Sequence, residues 1–346
     1  MGKLLRVRVP PWAPVKNKLR LLFILLLGII LLSVALLRAN LSEVVLLLRQ
    51  LDFLDGGILL VIFFTSSLGE AGSWLFTLRQ APFNFSWVVK LWRLSAIAAT
   101  LEFTTPLGLF GGEPLKAVLL KRRHGISYQE AVASLVLTRT TDALAVVLFV
   151  GLALALTIWR GLLPQPWLGL ASTILALFTL AVLTFVFLQQ LGLVSKLERK
   201  WGGKSSSRLF RAVQSLHNVE NHLELFYKSE RLRFLLSIGL TLGEWLLGAT
   251  TVWLSAAFLG AQITIPQAIV IEASMLLVTS TLFFIPGHIG SQEGGFVLAA
   301  EIMLGSAGLG LALAAIRRSR DIVWALLGLA LVSFGQTKSK TSARDA

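Results

Sequence analysis

The chain of 346 residues contains no cysteine, which excludes disulfide bonds and thiolate metal sites and leaves the redox compartment unreadable. Its four histidines lack metal-ligand spacing, since even His217 and His222 are five positions apart and share a helix face poorly. The sequence has no Ser-His-Asp order, no ATP-binding loop and no Asp-x-Asp motif. It therefore predicts no metal, no cofactor and no enzymatic activity. Any transport is expected to be passive, ion-coupled or driven by a partner.

Charged residues are scarce too, at 14% of the chain, against about 25% in a typical soluble domain. What is abundant is apolar sequence, with 55% hydrophobic residues and a mean hydropathy of +0.76. The clearest apolar runs reach or approach the roughly 20 residues that span a bilayer. They are residues 21–37, 57–78, 143–158, 168–188 and 234–259. The composition predicts an all-α polytopic membrane protein.

The net charge of +14 is concentrated at the ends of these runs. Basic residues gather within 3–20, 121–123, 196–211 and 338–340. This positive-inside bias predicts that both termini are cytoplasmic. Anionic lipid headgroups explain the basic fringe, so no nucleic-acid partner is expected. We predict a basic cytoplasmic N-terminus over 1–20, a single transmembrane domain over 21–334 and a cytoplasmic tail over 335–346.

The charge pattern predicts about six full spans and two broken hairpins. The predicted spans are residues 20–37, 57–78, 127–158, 168–190, 234–259 and 307–334. Between the fourth and fifth spans, apolar residues at helical spacing over 195–233 indicate an amphipathic helix on the membrane surface or against the bundle.

The first hairpin lies between Arg93 and Lys121, which enclose 27 residues, too many for one straight span and too few for two. Both flanks are basic, so a re-entrant hairpin fits best, and its broken backbone should line a cavity because only protein or water can satisfy it there. A second Pro/Gly break occurs within 266–305, where two full spans are the alternative. The predicted break residues are Pro106, Gly111, Gly112, Pro286, Gly287 and Gly290.

Two units of about 100 residues, 57–157 and 234–334, share one order of features. Each has a span with a Leu-Gly-Glu sequence, a broken hairpin with a glutamate, and a span with arginine and aspartate. We pair Arg139 and Asp142 of the first unit with Arg320 and Asp321 of the second. The charge rule gives the units opposite orientations, which predicts an inverted repeat with a transport site at its interface.

Ionisable residues inside spans are costly and usually functional. We predict that a polar cavity binds a charged or sugar-bearing headgroup, with arginines on phosphate and glutamates on an amine, on hydroxyls or on protons. The predicted substrate-binding residues are Glu70, Glu113, Arg139, Asp142, Glu244, Glu293, Arg317 and Arg320; further intramembrane charges are Glu102, Glu272, Arg318 and Asp321. The alternative is internal pairing, of Glu113 with Arg139 and of Glu293 with Arg320.

These residues resemble a known pattern. Four of the chain's motifs are similar to motifs of the flippase-like membrane family typified by the transmembrane region of lysylphosphatidylglycerol synthase. They are Pro106…Gly112-Glu113-x-x-Lys116, Arg139-x-x-Asp142, Pro286-Gly287-x-x-Gly290-x-x-Glu293 and the arginines at 317, 318 and 320. "IGSQEGGFVLA" and "LALAAIRRSRDI" resemble its hopanoid-biosynthesis-associated branch more closely. Lys116 departs from the family's frequent arginine, and the chain shows no aminoacyl-transferase domain, so the synthase activity does not carry over.

The resemblance implies translocation or transport of a polar-headed or hopanoid-type lipid across the bacterial inner membrane. A membrane lipid and proteins of a lipid pathway are then the expected partners. Three alternatives stay open. They are an ion-coupled small-solute transporter, a membrane enzyme using Glu113 with Asp142, and a non-catalytic accessory subunit of a lipid pathway.

Overall fold

The computed structural model describes residues 18–104, 108–190 and 208–342, and the side chains of 23–100, 112–190 and 217–333. Twelve α-helices and no strand occur in these ranges. They are α1 (Lys18–Arg38), α2 (Leu41–Leu48), α3 (Phe53–Thr77), α4 (Phe85–Thr104), α5 (Gly108–His124), α6 (Tyr128–Arg160), α7 (Gln165–Gln190), α8 (Arg208–Ser229), α9 (Arg231–Phe258), α10 (Ile265–Thr281), α11 (Ser291–Leu304) and α12 (Ala307–Ser342). The predicted class, an all-α multi-pass membrane protein, is confirmed.

Four helices of the described part, α3, α6, α7 and α9, are long and apolar enough to cross a bilayer. A fifth crossing is formed if α1 and α2 count as one span, although the chain bends by 82° between them. The bend is stabilised by Asn40, whose side chain accepts the backbone N–H of Ser42 at 3.1 Å and so caps α2. The sixth predicted span lies in α12, whose apolar run is interrupted by Arg317, Arg318, Arg320 and Asp321.

The first predicted hairpin consists of α4 and α5, which pack side by side. Pro106 lies outside the described residues. Gly111 and Gly112 do not lie in a break, because α5 has already begun at Gly108. Placing them there was wrong. They are the fourth and fifth residues of the helix, where a glycine costs only about 1 kcal/mol relative to alanine.

The second predicted hairpin consists of α10, with 17 residues, and α11, with 14. Each is shorter than the roughly 20 residues of a full span, which favours a re-entrant hairpin over two spans. The turn between them contains Pro286, Gly287 and Gly290, and the two glycines have φ angles of +60° and +79°. Here α1 crosses the turn so closely that a Cβ atom on Gly290 would lie 2.1 Å from the carbonyl oxygen of Gly28.

The two units have the same element order, α3-α4-α5-α6 and α9-α10-α11-α12, and related packing. In each unit the second hairpin helix packs on the unit's own last helix, α5 on α6 and α11 on α12. The first hairpin helix packs on the last helix of the other unit, α4 on α12 and α10 on α6. This exchange of partners is what a two-fold relation between the units produces.

The units meet where α3 crosses α9, the most extensive helix pair of the described part. Small residues permit the close approach, since a Cβ atom on Gly69 would meet the side chain of Glu244 at 3.3 Å. Hydroxyl groups join the helices: Ser73 Oγ lies 2.8 Å from Ser237 Oγ and 2.9 Å from Thr241 Oγ1. Thr141 of α6 continues the chain, with its Oγ1 atom 3.0 Å from Ser237 Oγ.

The amphipathic helix α8 packs against the bundle, where Leu223 and Phe226 are buried beside α6 and α9. His222 Nδ1 lies 2.9 Å from Glu130 Oε2, and Glu130 Oε1 accepts the backbone N–H of Arg79 at 2.9 Å. Tyr227 donates its hydroxyl to Gln189 Oε1 at 2.7 Å, and burial raises the pKa of Tyr227 to about 12. The phenol is therefore protonated, and α8 is docked by neutral as well as charged contacts.

Candidate functional site

A cavity of about 530 Å³ lies between α3, α4, α5, α6, α9 and α12. Along α3 it is lined from Gly56 to Trp74, about 27 Å at 1.5 Å per residue. That length approaches the thickness of about 30 Å of a bilayer's hydrocarbon core. The cavity therefore runs through most of the depth of the helical bundle.

Seven of the eight predicted substrate-binding residues line this single cavity. They are Glu70, Glu113, Arg139, Asp142, Glu244, Arg317 and Arg320. They come from α3, α5, α6, α9 and α12, so the fold brings both units to one site. Glu293 does not line the cavity, although it is buried close by. Glu102 lies in α4, but its side chain is outside the described residues.

The first charged cluster is centred on Glu113, in the second turn of α5. Lys116 Nζ lies 3.1 Å from its carboxylate, and the guanidinium of Arg139 donates to the same oxygen. Arg139 and Asp142 are three positions apart on α6 and lie on one face, with 3.7 Å between Nη1 and Oδ2. Lys116 also lies over the ring of Trp74, 5.7 Å from its centroid. The internal pairing of Glu113 with Arg139 is thus present in the structure.

The second charged cluster fixes the turn of the second hairpin. Arg318 donates from Nε to Glu293 Oε1 at 3.0 Å and from Nη1 to the carbonyl of Gly287 at 2.8 Å. Glu293 in turn accepts the backbone N–H of Gly290 at 2.7 Å. Asp321 completes the cluster, 3.8 Å from Arg318 Nη1. One arginine therefore satisfies both the buried acid and a carbonyl of the broken backbone.

The alternative pairing of Glu293 with Arg320 was wrong, because Arg318 occupies that place. Arg320 instead bonds Asp321, with 3.0 Å between Nη2 and Oδ1, and its guanidinium lies over Phe63, 5.6 Å from the ring centroid. The counterpart of Arg139-x-x-Asp142 is therefore Arg318-x-x-Asp321, which has the same i, i+3 spacing. That spacing was the available signal, since residues three positions apart share a helix face and sequence neighbours such as Arg320 and Asp321 do not.

A third ion pair closes the cavity beside α10. Arg317 Nη1 lies 3.1 Å from Glu272 Oε1, and Glu272 is fully buried. The carboxylate fits against α9 only because residue 248 is glycine, where a Cβ atom would meet Oε1 at 2.4 Å. Neither carboxylate oxygen of Glu272 makes a hydrogen bond of good geometry. The pair is thus close in distance but poorly aligned.

Glu70 and Glu244 differ from the other acids of the cavity. Within the described side chains, neither has a cation at ion-pair distance, whereas Lys116, Arg139, Arg317 and Arg320 each contact a carboxylate. Oε1 of Glu244 is enclosed and has no hydrogen-bond partner. The cavity therefore contains two carboxylates that form no ion pair with a described side chain.

The two ends of the cavity have different chemistry. On α3, Leu59, Leu60, Ile62 and Phe63 line one end, and Ser66, Ser67, Glu70 and Ser73 line the other. Where the two ends meet, α3 and α12 face each other through Phe63 and Trp324, whose ring centroids are 5.7 Å apart at nearly a right angle. The site thus combines a charged chamber with an apolar slot.

Comparison with protein families gives a match over most of the chain. Residues 20–328 match the model of the family described as the lysylphosphatidylglycerol synthase TM region, which confirms the resemblance seen in the sequence motifs. The match points to a lipid-related function in a membrane. Neither the comparison with curated proteins nor that with solved structures gave a match.

Proposed function

The chain belongs to the lysylphosphatidylglycerol synthase TM region family, and from this premise we propose that it moves a polar-headed or hopanoid-type lipid across the bacterial inner membrane. The lipid passes through the cavity between the two units. Both termini face the cytoplasm, as the basic ends of the spans favour. The proposal assigns no catalytic step to the chain.

One observation carries this proposal, the change from apolar to charged lining along a single cavity. A membrane lipid has the same division into an apolar tail and a polar headgroup. The charged end, with Glu113, Arg139 and Asp142, suits a headgroup, and the apolar end beside Phe63 and Trp324 suits the first part of the acyl chains. A volume of about 530 Å³ lies within the usual range for a small-molecule site, about 300–1,000 Å³.

The paired charges provide a mechanism for binding and release. Without a headgroup, Glu113 neutralises Lys116 and Arg139, so neither cation is left unpaired. A phosphate can replace Glu113 on Arg139, whose planar fork bonds two oxygens at once. The carboxylate pairs with Arg139 again when the headgroup leaves. This exchange of partners keeps the free-energy cost of moving the charged headgroup low at every stage.

The exchanged packing of the two hairpins supports alternating access. Each hairpin touches the last helix of both units, so a movement of α6 relative to α12 displaces both hairpins together. The cavity is bounded at α3 and α12 by aromatic rings, whereas the matching contact of α9 with α6 is closely packed. Opening one side while closing the other exposes the charged end to each membrane face in turn.

A liposome assay tests the proposal. Purified protein is reconstituted in phosphatidylethanolamine–phosphatidylglycerol vesicles containing a trace of acyl-labelled fluorescent phosphatidylglycerol, and dithionite reduces the fluorophore in the outer leaflet only. Parallel vesicles contain lysylphosphatidylglycerol, read with an impermeant amine reagent, or a hopanoid, read with an extracting acceptor. We expect the wild type to expose inner-leaflet lipid at least tenfold faster than protein-free vesicles for at least one of these lipids.

The variant Glu113→Gln should lower that rate at least tenfold, because it leaves Lys116 and Arg139 without their shared anion, a change worth more than about 1.4 kcal/mol. Glu301→Gln is the matched control, since Glu301 pairs with Arg38 at 3.0 Å outside the cavity and loses the same charge. No acceleration by the wild type with any of the lipids contradicts translocation. It would favour the solute-transporter or accessory-subunit alternatives.

A further inference from the structure

Glu244 is a carboxylate that the cavity does not neutralise. Its Oε1 atom is enclosed and without a hydrogen-bond partner, and its side chain packs against the backbone of Gly69 in the tight α3–α9 crossing. An ionised carboxylate in such surroundings costs several kcal/mol, and a buried acid avoids this cost by binding a proton or a cation. The position is therefore suited to a carboxyl group that changes its protonation state.

The charged neighbours of Glu244 do not supply a counter-ion. Each element packed against this part of α9 contributes charged groups. They are Glu70 on α3, Arg139 and Asp142 on α6, Glu272 on α10, and Arg317, Arg320 and Asp321 on α12, with Glu113 and Lys116 of α5 across the cavity. All four cations in this set contact other carboxylates, at distances up to 3.1 Å. Glu70 is still attracted by Arg139, whereas the charged groups that act on Glu244 are the acids Glu70 and Asp142.

Two further observations point to a small polar ligand at this face of α9. Ser255, only 2% exposed, and Trp245 also have unpartnered polar atoms, Oγ and Nε1, and both residues line the cavity. A chain of hydroxyl groups starts one turn from Glu244, at Thr241, and passes through Ser73 and Ser237 to Thr141. Its steps are 2.9, 2.8 and 3.0 Å, and each hydroxyl can both donate and accept a hydrogen bond.

We propose that Glu244 is a proton-binding site of the cavity, and that proton binding and release at Glu244 drive the movement of the lipid. The first part of this proposal stands by itself, and the coupling rests on the function proposed above. On release, the proton leaves the Glu244 carboxyl oxygen and joins a cavity water or the Thr241 hydroxyl, which passes its own proton to the next acceptor. No other bond changes, and a carboxylate is left at Glu244.

The resulting carboxylate repels Glu70 and no longer tolerates the closed α3–α9 crossing. The two protonation states therefore favour different arrangements of α3 and α9, the helices that begin the two units. A proton gradient can thus bias the direction in which the charged end of the cavity opens. Glu113, Glu272 and Glu293, by contrast, each have an arginine at ion-pair distance.

Infrared spectroscopy tests the proton site without any transport. Protonated carboxyl groups give a carbonyl band separate from that of carboxylates. We expect the wild type in detergent at pH 7 to show this band, Glu244→Gln to lose at least half of it, and Glu70→Gln and Glu301→Gln to retain it. A wild-type spectrum without the band overturns the assignment, and this outcome requires no variant to fold. A band kept at full intensity in folded Glu244→Gln overturns it as well.

Vesicles with a pH difference test the coupling, using the same fluorescent phosphatidylglycerol. With one proton per lipid, each unit of pH difference should bias the steady-state distribution of the lipid about tenfold. The bias should be absent for Glu244→Gln. Fast lipid movement by the wild type with no bias overturns the coupling and leaves translocation standing. An absence of lipid movement counts against translocation, and the infrared band then still decides the proton site.

Discussion

At the scale of single residues, Gly290 shows how a turn inside the membrane depends on one missing side chain. It lies where the turn of the second hairpin passes under α1, with a φ angle of +79°. A Cβ atom would lie 2.1 Å from the carbonyl oxygen of Gly28 and 2.6 Å from the backbone nitrogen of Leu32. Both contacts are to backbone, so no side chain can move aside to make room.

We therefore expect Gly290→Ala to lower the free energy of unfolding by about 3 kcal/mol or more, from backbone strain and overpacking together. Gly294→Ala is the control, because Gly294 lies in α11 and a Cβ atom there meets nothing within 4 Å. Alanine there should match or slightly exceed glycine. Thermal unfolding in detergent measures both, and equal midpoints for the two variants would contradict the close crossing.

The residue scale also shows what the sequence could predict. Seven of the residues chosen for their charge inside apolar runs line one cavity, and their part in substrate binding stays a prediction. Which carboxylate each arginine pairs with was harder to predict from the sequence, since Arg317, Arg318 and Arg320 are near neighbours with similar chemistry. Their division among Glu272, Glu293 and Asp321 depends on which face of α12 meets each hairpin helix. Such a choice is made by tertiary packing, which sequence spacing alone constrains weakly.

At the scale of elements, α3 and α12 form the side of the cavity that is closed by aromatic rings. Phe63 meets Trp324, and Trp324 also meets Trp92 of α4, with 5.4 Å between ring centroids. If the lipid enters or leaves between these helices, the ring contact must separate in each cycle. A link between positions 63 and 324 should then stop lipid movement.

The absence of native cysteine makes this experiment clean. We expect a Phe63→Cys/Trp324→Cys protein, treated with a short reducible bifunctional thiol cross-linker, to lose more than nine-tenths of its liposome activity. Reduction should restore it. Each single-cysteine variant treated in the same way controls for the label itself. Full activity of the cross-linked protein, with the link verified by mass spectrometry, would show that the lipid takes another route.

The helix boundaries show how much composition and periodicity can predict about the elements. Helices α3, α6, α7 and α9 begin and end within a few residues of the predicted spans, because long apolar runs and terminal charges are strong signals. The start of α5 was missed, because the glycine pair at 111 and 112 has the composition of a turn yet lies within the first two turns of the helix. Helix propensity is a weak guide to the start of α5, because the packing of α5 on α4 determines where the helix begins.

At the scale of the whole molecule, the related packing of the two units leads to a prediction about orientation. Partner exchange between α4, α10 and the last helices is the pattern that a two-fold axis between the units produces. The charge pattern predicts that α3 and α9 run in opposite directions through the membrane, with the basic loops inside. In that arrangement, Lys228 at the end of α8 is cytoplasmic, and Gln165 at the start of α7 faces the opposite side.

Labelling of single cysteines in intact cells measures this orientation. Lys228 and Gln165 are both solvent-exposed at helix ends, so cysteine at either position should react equally with maleimide in detergent. With an impermeant maleimide added to intact cells expressing the protein, we expect Gln165→Cys to be labelled at least tenfold more than Lys228→Cys. Permeabilising the cells should abolish the difference. The reverse labelling pattern would show that the protein has the opposite orientation in the membrane. The charged end of the cavity would then first meet the lipid from the opposite direction.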